Sequence, residues 1–206
     1  APVIYSALKL NRTKKQLKKY LFNKGYFKSE ITDSTHILDN GQIDINYSIK
    51  LGDPMYLSSI KYHCPEILIS SYLDSIESNA FLKKGDVFDT DNLVKERDRI
   101  NDFLTNNGFY NFNKELIYFD IDTNYISNTV NITLGIQNYK KINQINNSFQ
   151  DLTHKQFKIS KVNIKIGDSS KFNNVAKLDS IDNSFFKIVN YEPINFKSKV
   201  FKNSIF

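Results

Sequence analysis

The sequence has very little cysteine and histidine. Cys64 is the single cysteine among 206 residues, and the three histidines are scattered at positions 36, 63 and 154. One thiol cannot form an internal disulfide, and a closed structural zinc site needs four ligands. We therefore expect neither a disulfide scaffold nor a metal site. The redox compartment stays open, because a lone thiol suits the cytosol and also a periplasmic protein without disulfides.

Long apolar runs are missing as well. No stretch approaches the roughly 18 residues that a membrane-spanning helix requires, so we expect any membrane anchor to lie outside this sequence. The composition is otherwise that of a globular chain, with 40% hydrophobic, 14% aromatic and 24% charged residues. Its length allows one to three small domains.

Catalytic motifs are also absent. The sequence shows no glycine-rich phosphate loop, no nucleophile motif and no histidine–carboxylate pair at helical spacing, so we predict no enzyme, no catalytic residue and no cofactor. Asp86, Asp89 and Asp91 are spaced somewhat like calcium ligands, but the glycine and closing glutamate of an EF-hand loop do not follow, which favours helix capping. His63 and Cys64 have no third partner, and neighbours on a strand point to opposite faces.

The net charge is +6, with an isoelectric point near 9.1. Such a balance is compatible with nucleic acid or an anionic surface, but the lysines are spread thinly. The one dense cluster, from Arg12 to Lys19, surrounds Leu17. This pattern is typical of the solvated face of an amphipathic helix, with a specific anion site as the alternative.

The most informative positive feature is an internal repeat with an offset of 83 residues, the distance from Gly25 to Gly108. The matched residues are Leu10, Leu17, Tyr20, Leu21, Asn23, Gly25, Tyr26 and Phe27 in the first copy and Leu93, Ile100, Phe103, Leu104, Asn106, Gly108, Phe109 and Tyr110 in the second. A fixed period indicates repeated structural units. Each copy predicts an amphipathic helix that ends at a glycine in the left-handed conformation and is followed by buried aromatic residues.

The segments between the two copies complete the pattern. Alternating apolar and polar residues predict strands over 43–51, 56–62, 116–122 and 130–136, and helical spacing covers 67–76. Asp89, Thr90 and Asp91 are capping candidates for the second copy's helix. Residues 56–138 therefore predict the order strand, helix, helix, strand, strand.

Three sequence segments connect this pattern with a known family. They are Gly85–Phe88 before the second helix, Ile100–Tyr110 at its end, and Ile49–Ile60 across the junction between copies. The chain resembles tandem polypeptide-transport-associated (POTRA) domains, as in the periplasmic arm of the BamA/TamA outer-membrane assembly family. The segment Tyr20–Phe27 is similar to the corresponding segment of TamA-like members found in Bacteroidetes.

The resemblance implies an α+β fold made of tandem β-α-α-β-β repeats, each a three-stranded mixed sheet covered on one face by two helices. Residues 1–52 would be the C-terminal part of one repeat, with its second helix and two strands, and residues 53–138 a complete repeat. Residues 139–206 would be a linker and an incomplete third repeat, opened by a strand over 157–166 and interrupted by a polar insertion at 168–193. Residues 201–206 resemble residues 76–81, and we expect the chain to be a piece of a longer protein.

The resemblance also implies a function. We expect a non-enzymatic arm on the periplasmic side of the outer membrane that guides nascent outer-membrane β-barrel polypeptides and binds accessory assembly proteins. Contact with the membrane would occur only through a barrel absent from this sequence. The alternatives are a docking module of a secretion or cell-division protein and, more distantly, a basic nucleic-acid-binding domain, although we predict no nucleic-acid partner.

Peptide binding is expected at the edge strand after the second helix, because an unpaired edge offers backbone donors and acceptors to an extended guest. The predicted binding residues are Leu116, Ile117, Tyr118, Phe119, Asp120, Ile121 and Asp122, with Ile117, Phe119 and Ile121 facing the core. Alternatively, a neighbouring repeat or residues 139–156 cover this edge. The predicted joint between repeats is Gly52, Asp53 and Pro54, which would restrict their orientation, whereas residues 139–156 would permit more motion.

Overall fold

A computed structural model describes residues 4–142, 149–167, 179–182 and 186–191. The chain divides into two compact units, Ala1–Gln156 and Phe157–Phe206. Most of the predicted polar insertion, and the predicted likeness of residues 201–206 to residues 76–81, lie outside the described residues. The domain boundaries at 52/53 and 138/139 remain predictions.

The first repeat, residues 1–52, contains helix α1 (Ala7–Asn23) and strands β1 (Glu30–Ile37) and β2 (Ile43–Lys50). The helix ends as the sequence predicts, with Gly25 in the left-handed region at φ +88°. The Tyr26 N–H then donates to the carbonyl of Leu21, which closes the last turn. The two strands pair antiparallel, from Glu30 opposite Lys50 to Ile37 opposite Ile43.

The second repeat, residues 53–138, contains five main elements. These are β3 (Tyr56–His63), α2 (Ile67–Ile76), α3 (Thr90–Asn106), β4 (Ile117–Asn124) and β5 (Thr129–Ile136). The sheet has the order β3-β5-β4, with β5 parallel to β3 and antiparallel to β4. The predicted α+β class and the order strand, helix, helix, strand, strand are confirmed.

The repeat offset is exact in the helices and breaks down after them. Helices α1 and α3 both have 17 residues and begin 83 positions apart, at Ala7 and Thr90. In the second repeat a 3₁₀ turn, Lys114–Leu116, then precedes β4. The strands that follow consequently start a few residues later than the offset requires.

Two apolar clusters form the core between the helices and one face of the β3-β5-β4 sheet. One cluster joins Ile69 and Leu73 of α2, Ile100 and Leu104 of α3, Phe109, Phe112, and Ile117, Leu134 and Ile136 of the sheet; the other joins Met55, Leu57, Leu82, Phe88, Leu93, Val130 and Ile132. Burying each large apolar side chain contributes about 1.5–3 kcal/mol, so these clusters dominate the stability of the second repeat. Phe109, the aromatic residue after Gly108, is 1% exposed, whereas its neighbour Tyr110 faces solvent.

Strands β6 (Tyr139–Ile142) and β7 (Phe149–Leu152) form an antiparallel pair within the polar stretch after the second repeat. In the second compact unit, β8 (Val162–Ile166), β9 (Asp179–Asp182) and β10 (Phe186–Asn190) form a sheet of order β8-β10-β9, with β8 parallel to β10. The strand predicted over 157–166 begins at Val162, because the pairing with β10 begins there. Among the described helices, none is long and apolar enough to span a membrane.

Candidate functional site: the β4 edge and the joint between repeats

Strand β4 lies at an edge of its sheet. It pairs with β5 from Ile117 opposite Ile136 to Asn124 opposite Thr129, and no described strand pairs with its other side. The Gln137 N–H donates to the Leu116 carbonyl, which directs that carbonyl toward β5. Because backbone groups alternate in direction along an antiparallel ladder, the N–H and C=O groups of Phe119 and Ile121 point to the open side.

The inward-facing side chains of β4 become more exposed along the strand. Ile117 is 2% exposed, and Phe119 is half-buried beneath the Arg97 guanidinium, which lies 5.3 Å from the ring centre. Ile121, which the pattern predicts as a core residue, is 38% exposed, so that prediction is wrong. The physical reason is its position along the strand: Ile117 and Phe119 pack in the apolar clusters of the core, whereas Ile121 belongs to neither cluster.

The outward face of β4 is polar, as predicted. Its one large side chain packs against the backbone of the neighbouring strand. Tyr118 lies opposite Gly135 of β5, and its ring fills the space above that glycine. A Cβ built on Gly135 would lie only 2.0 Å from the tyrosine Cζ atom. Tyr118 therefore shields the β5 backbone, while Asp120 and Asp122 remain exposed.

Residues 153–156 contact a different part of the second repeat. The His154 N–H donates to Glu66 Oε1 over 2.8 Å, and its ring Nε2 lies 3.0 Å from the Gln137 carbonyl oxygen. The Gln156 amide donates to the Tyr72 hydroxyl and to the Asn107 carbonyl. None of these contacts reaches β4, so the described part of 139–156 gives no support to the alternative that this stretch covers the edge.

The His154 ring is buried between two aromatic side chains. Its centre lies 5.2 Å from the Phe112 ring and 4.6 Å from the Tyr139 ring, and its side chain is 1% exposed. Partial burial, with a smaller effect of the Glu66 carboxylate, raises the pKa of Tyr139. This anchor is not predictable from the sequence, because neither histidine nor glutamine carries a pattern that marks burial.

The predicted joint at Gly52, Asp53 and Pro54 leads directly into contacts between the two repeats. Gly52 has φ +73°, a conformation that glycine adopts without strain. The Met55 N–H then donates to the Gly25 carbonyl over 2.9 Å, and the Phe88 N–H donates to the Met55 carbonyl. Met55 thus links the end of α1 to the segment before α3.

Two lysines after α1 add polar contacts across the joint. Lys24 Nζ lies 2.8 Å from a carboxylate oxygen of Asp89 and 2.8 Å from one of Asp91. Lys28 Nζ donates to the Tyr125 carbonyl and to Asn128 Oδ1 in the loop between β4 and β5. The first repeat therefore holds both the start of α3 and the β4–β5 loop.

An aromatic contact lies between these polar ones. The Phe27 ring stacks on Phe22 with centres 4.1 Å apart and meets the buried Phe88 ring edge-on at 5.4 Å. The capping role predicted for Asp89 is confirmed, because its side chain accepts a hydrogen bond from the Asp91 N–H. The additional partner, Lys24, lies 65 residues away in the chain, and no local pattern indicates it.

No group of three or more histidine, cysteine or acidic side chains is arranged to hold a metal ion within the described residues. Burial raises the pKa of the Cys64 thiol, so its reactive thiolate form is disfavoured.

Comparison with known families agrees with the repeat pattern. Residues 3–52 match the family model described as POTRA, surface antigen variable number repeat. This match covers nearly all of the first repeat. The second has the strand and helix order predicted for a complete POTRA unit, and its helix α3 repeats α1 at the fixed offset of the sequence pattern. A search of curated proteins returns no significant match.

Three solved structures resemble the chain at low identity. The Haemophilus influenzae BamA POTRA3-5 structure is 11% identical with a TM-score of 0.43, over 92% of this chain and 82% of that one. BamA from Haemophilus ducreyi lacking POTRA domains 1-3 is 16% identical with a TM-score of 0.39, over 68% and 25%. POTRA1-3 of the periplasmic domain of Omp85 from Anabaena is 15% identical with a TM-score of 0.31, over 65% and 51%. At TM-scores this low, the resemblance does not indicate that this chain shares the function of those proteins.

Proposed function

We propose that this chain is part of the periplasmic arm of an outer-membrane protein assembly factor and that it binds extended outer-membrane polypeptides by strand addition to β4. The POTRA match of residues 3–52 and the repeated architecture support the general role. The observation that carries the specific role is the one-sided pairing of β4 among the described residues. The chain acts as a scaffold, and no bond is made or broken.

The geometry of β4 suits a guest of variable sequence. Strand addition uses main-chain hydrogen bonds, which are common to all polypeptides, and leaves side chains to adjust specificity. The outward Asp120 and Asp122 lie near this edge and oppose acidic guests, while the half-exposed Ile121 offers apolar contact on the inward side. Alternating apolar and polar residues, as in a barrel strand, match these two faces.

The rigid joint supports the same role. Contacts from Lys28 to the Tyr125 carbonyl and to Asn128 fix the loop at the end of β4, so the edge is held in place relative to the first repeat. An edge whose position is fixed loses less conformational entropy when a guest binds. Accessory assembly proteins could use the same edge, and competition with a barrel-strand peptide would reveal this.

The test is a backbone-amide NMR titration of the chain with a short peptide copied from an outer-membrane barrel strand. We expect shifts concentrated on residues 116–122. Ile121→Pro removes an outward N–H at an edge position, where proline is tolerated, and should abolish these shifts; Ile121→Val keeps the N–H and should preserve them. Circular dichroism checks that both variants remain folded.

A second experiment tests the proposal even if the proline variant unfolds. The same peptide with every backbone amide N-methylated cannot donate backbone hydrogen bonds along either edge, and it should not bind to the unmodified chain. Equal binding of the methylated peptide, or an absence of shifts on 116–122, would contradict strand addition at β4. A DNA oligomer that binds with steep salt dependence would instead support the nucleic-acid alternative.

A further inference from the structure

The opposite edge of the same sheet, on β3, already accepts a strand-like partner from within the chain. The Leu57 N–H donates to the Asp86 carbonyl, and the Gly85 N–H donates to the Leu57 carbonyl, both over 2.8 Å. Tyr56 also forms an antiparallel bridge with Val87. Residues 85–88 thus pair with the beginning of β3 in the antiparallel direction.

This internal pairing stops at Gly85. Gly85 has φ +92°, a conformation that favours glycine, and the chain before it turns away from the β3 edge. The pairing of β3 with β5 shifts by one residue between Leu57 and Ser59, which marks a bulge at the same level. Beyond this point, no described strand pairs with the outer side of β3.

A cavity of about 430 Å³ lies beside the open part of the edge. Ser58, Ser59, Ile60 and Tyr62 of β3 form one wall, and Glu77, Ala80, Leu82, Lys83 and Lys84 form the other. Its volume falls within the roughly 300–1,000 Å³ typical of ligand sites. The cavity is therefore open for a short extended segment that continues the line of residues 85–88.

The charged residues that line the cavity determine which kind of segment can bind there. Lys83 and Lys84 are exposed at its rim and form no ion pair with any described residue. The acidic lining residue is Glu77. The nearby carboxylate of Glu96 is fully buried and already accepts hydrogen bonds from Arg99, the Tyr62 hydroxyl and the Phe81 N–H. Glu77 is exposed like the two lysines, so one accessible negative charge faces two positive ones and the net accessible charge at the cavity is positive.

We propose that the β3 edge from Ser58 to Tyr62 is a second strand-addition site, which binds an extended acidic peptide segment whose carboxylates meet Lys83 and Lys84. The β4 edge carries exposed aspartates and the β3 edge carries exposed lysines, so the two edges of one sheet discriminate between guests of opposite charge. The inference does not depend on guest binding at β4.

The test uses a capped peptide of alternating aspartate and valine, titrated into the chain and followed by backbone-amide NMR. We expect shifts at residues 58–62, 83 and 84. In the double variant Lys83→Glu and Lys84→Glu, binding should weaken about tenfold, because two attractive pairs become repulsive. The matched control, Lys18→Glu and Lys19→Glu on the exposed face of α1, changes the net charge equally and should bind like the unmodified chain.

Further arms separate this site from β4. The acidic peptide should still bind to Ile121→Pro, and a peptide with lysine in place of aspartate should bind at least tenfold more weakly than the acidic one. Unchanged binding in the Lys83/Lys84 variant, or shifts confined to residues 116–122, would overturn the proposal. Loss of barrel-strand binding in Ile121→Pro, with acidic-peptide binding retained, would show that two independent edges are in use.

Discussion

At the scale of single residues, the joint depends on positions where only a small side chain fits. Gly25 ends α1 with φ +88° and lies against the backbone of the segment before α3. A Cβ at this position would lie 2.6 Å from the Phe88 carbonyl oxygen and 2.9 Å from Val87 Cγ1. One residue therefore serves both as a helix terminus and as a close contact between repeats.

Gly25→Ala is accordingly expected to destabilise the chain more than an ordinary glycine replacement. Gly41 provides the matched control, because it has φ +78° in the β1–β2 turn and a Cβ added there would meet no heavy atom within 4 Å. Gly41→Ala should cost about 1–2 kcal/mol from left-handed strain alone. Gly25→Ala should cost clearly more, because a backbone oxygen cannot move aside as a side chain can; urea unfolding measures both. Equal costs would show that the contact with Phe88 is unimportant.

The sequence patterns predict where the helices end better than they predict which residues contact one another in the fold. Gly25, Gly108 and Asp89 act as expected, because capping and helix termination are local and depend on residue type. The exposure of Ile121 and the burial of His154 were not predictable in this way. Each depends on which segments pack nearby, and that information is not contained in the period of the sequence around the residue.

At the scale of elements, α3 carries the most unusual interaction of the second repeat. Glu96 is fully buried, yet it faces the apolar core side of an amphipathic helix. Arg99 Nε donates to it over 2.9 Å, and the Phe81 N–H and the Tyr62 hydroxyl complete the set. Partial burial and the Glu96 carboxylate raise the pKa of Tyr62, which keeps this hydroxyl a donor. The network connects α3, β3 and the loop after α2.

Glu96→Ala should destabilise the second repeat by about 3–5 kcal/mol, because it removes the carboxylate partner of the mostly buried Arg99 and leaves that charge with the Ile76 carbonyl alone. Asp98→Ala is the matched control on the same helix, since Asp98 and Lys114 form an exposed ion pair and should contribute much less. The double variant Glu96→Ala and Arg99→Met should cost less than the single change. Urea unfolding tests all three, and an equal loss in Asp98→Ala would contradict a special role for burial.

The elements themselves were largely predictable from the sequence. Periods of 3.6 and 2 residues, with glycine and aspartate at the boundaries, placed helices α1, α2 and α3 and strands β2 to β5 to within a few residues. Strand β8 begins later than its alternating pattern, because a strand extends only as far as its partner does. The β3 cavity was missed for a related reason: a strand pattern indicates which faces are buried and does not reveal what lies beside the edge.

At the scale of the whole molecule, the two ends of the second repeat are held differently. Lys24 at the first joint corresponds by the repeat offset to Asn107, which has no cationic group. There the Asn107 carbonyl accepts a hydrogen bond from Gln156, and His154 is buried next to Phe112. The first joint is a short connection with ionic contacts, and the stretch after the second repeat contains a strand pair followed by a buried anchor. Equivalent positions in the two repeats thus make different contacts.

The ionic contact makes the first joint sensitive to pH at both extremes. Partial burial of Asp89 acts against its ionised form, but the hydrogen bonds from Lys24 and from the Asp91 N–H outweigh it and lower its pKa. The hydrogen bonds to Asp89 and Asp91 raise the pKa of Lys24. The carboxylate stabilises the folded state above its unfolded pKa of 3.8 and loses this effect as pH falls through the lower folded value. The lysine stabilises it below 10.5 and loses this effect as pH rises through the higher folded value.

We therefore expect the contribution of this contact to the stability of Ala1–Gln156 to be nearly constant between these limits and to fall outside them. Asp89→Asn keeps an effective N-cap for α3 but removes the charge, so the acid-side contribution of this residue should disappear. Asp89→Ala also removes the cap and should cost about 1 kcal/mol in addition at neutral pH. Thermal unfolding across the pH range measures stability, and the Met55 amide resonance reports the joint through its bond to Gly25. In Asp89→Asn, Asp91 alone would hold Lys24. An unchanged acid-side profile in this variant would show that the acid sensitivity does not come from Asp89.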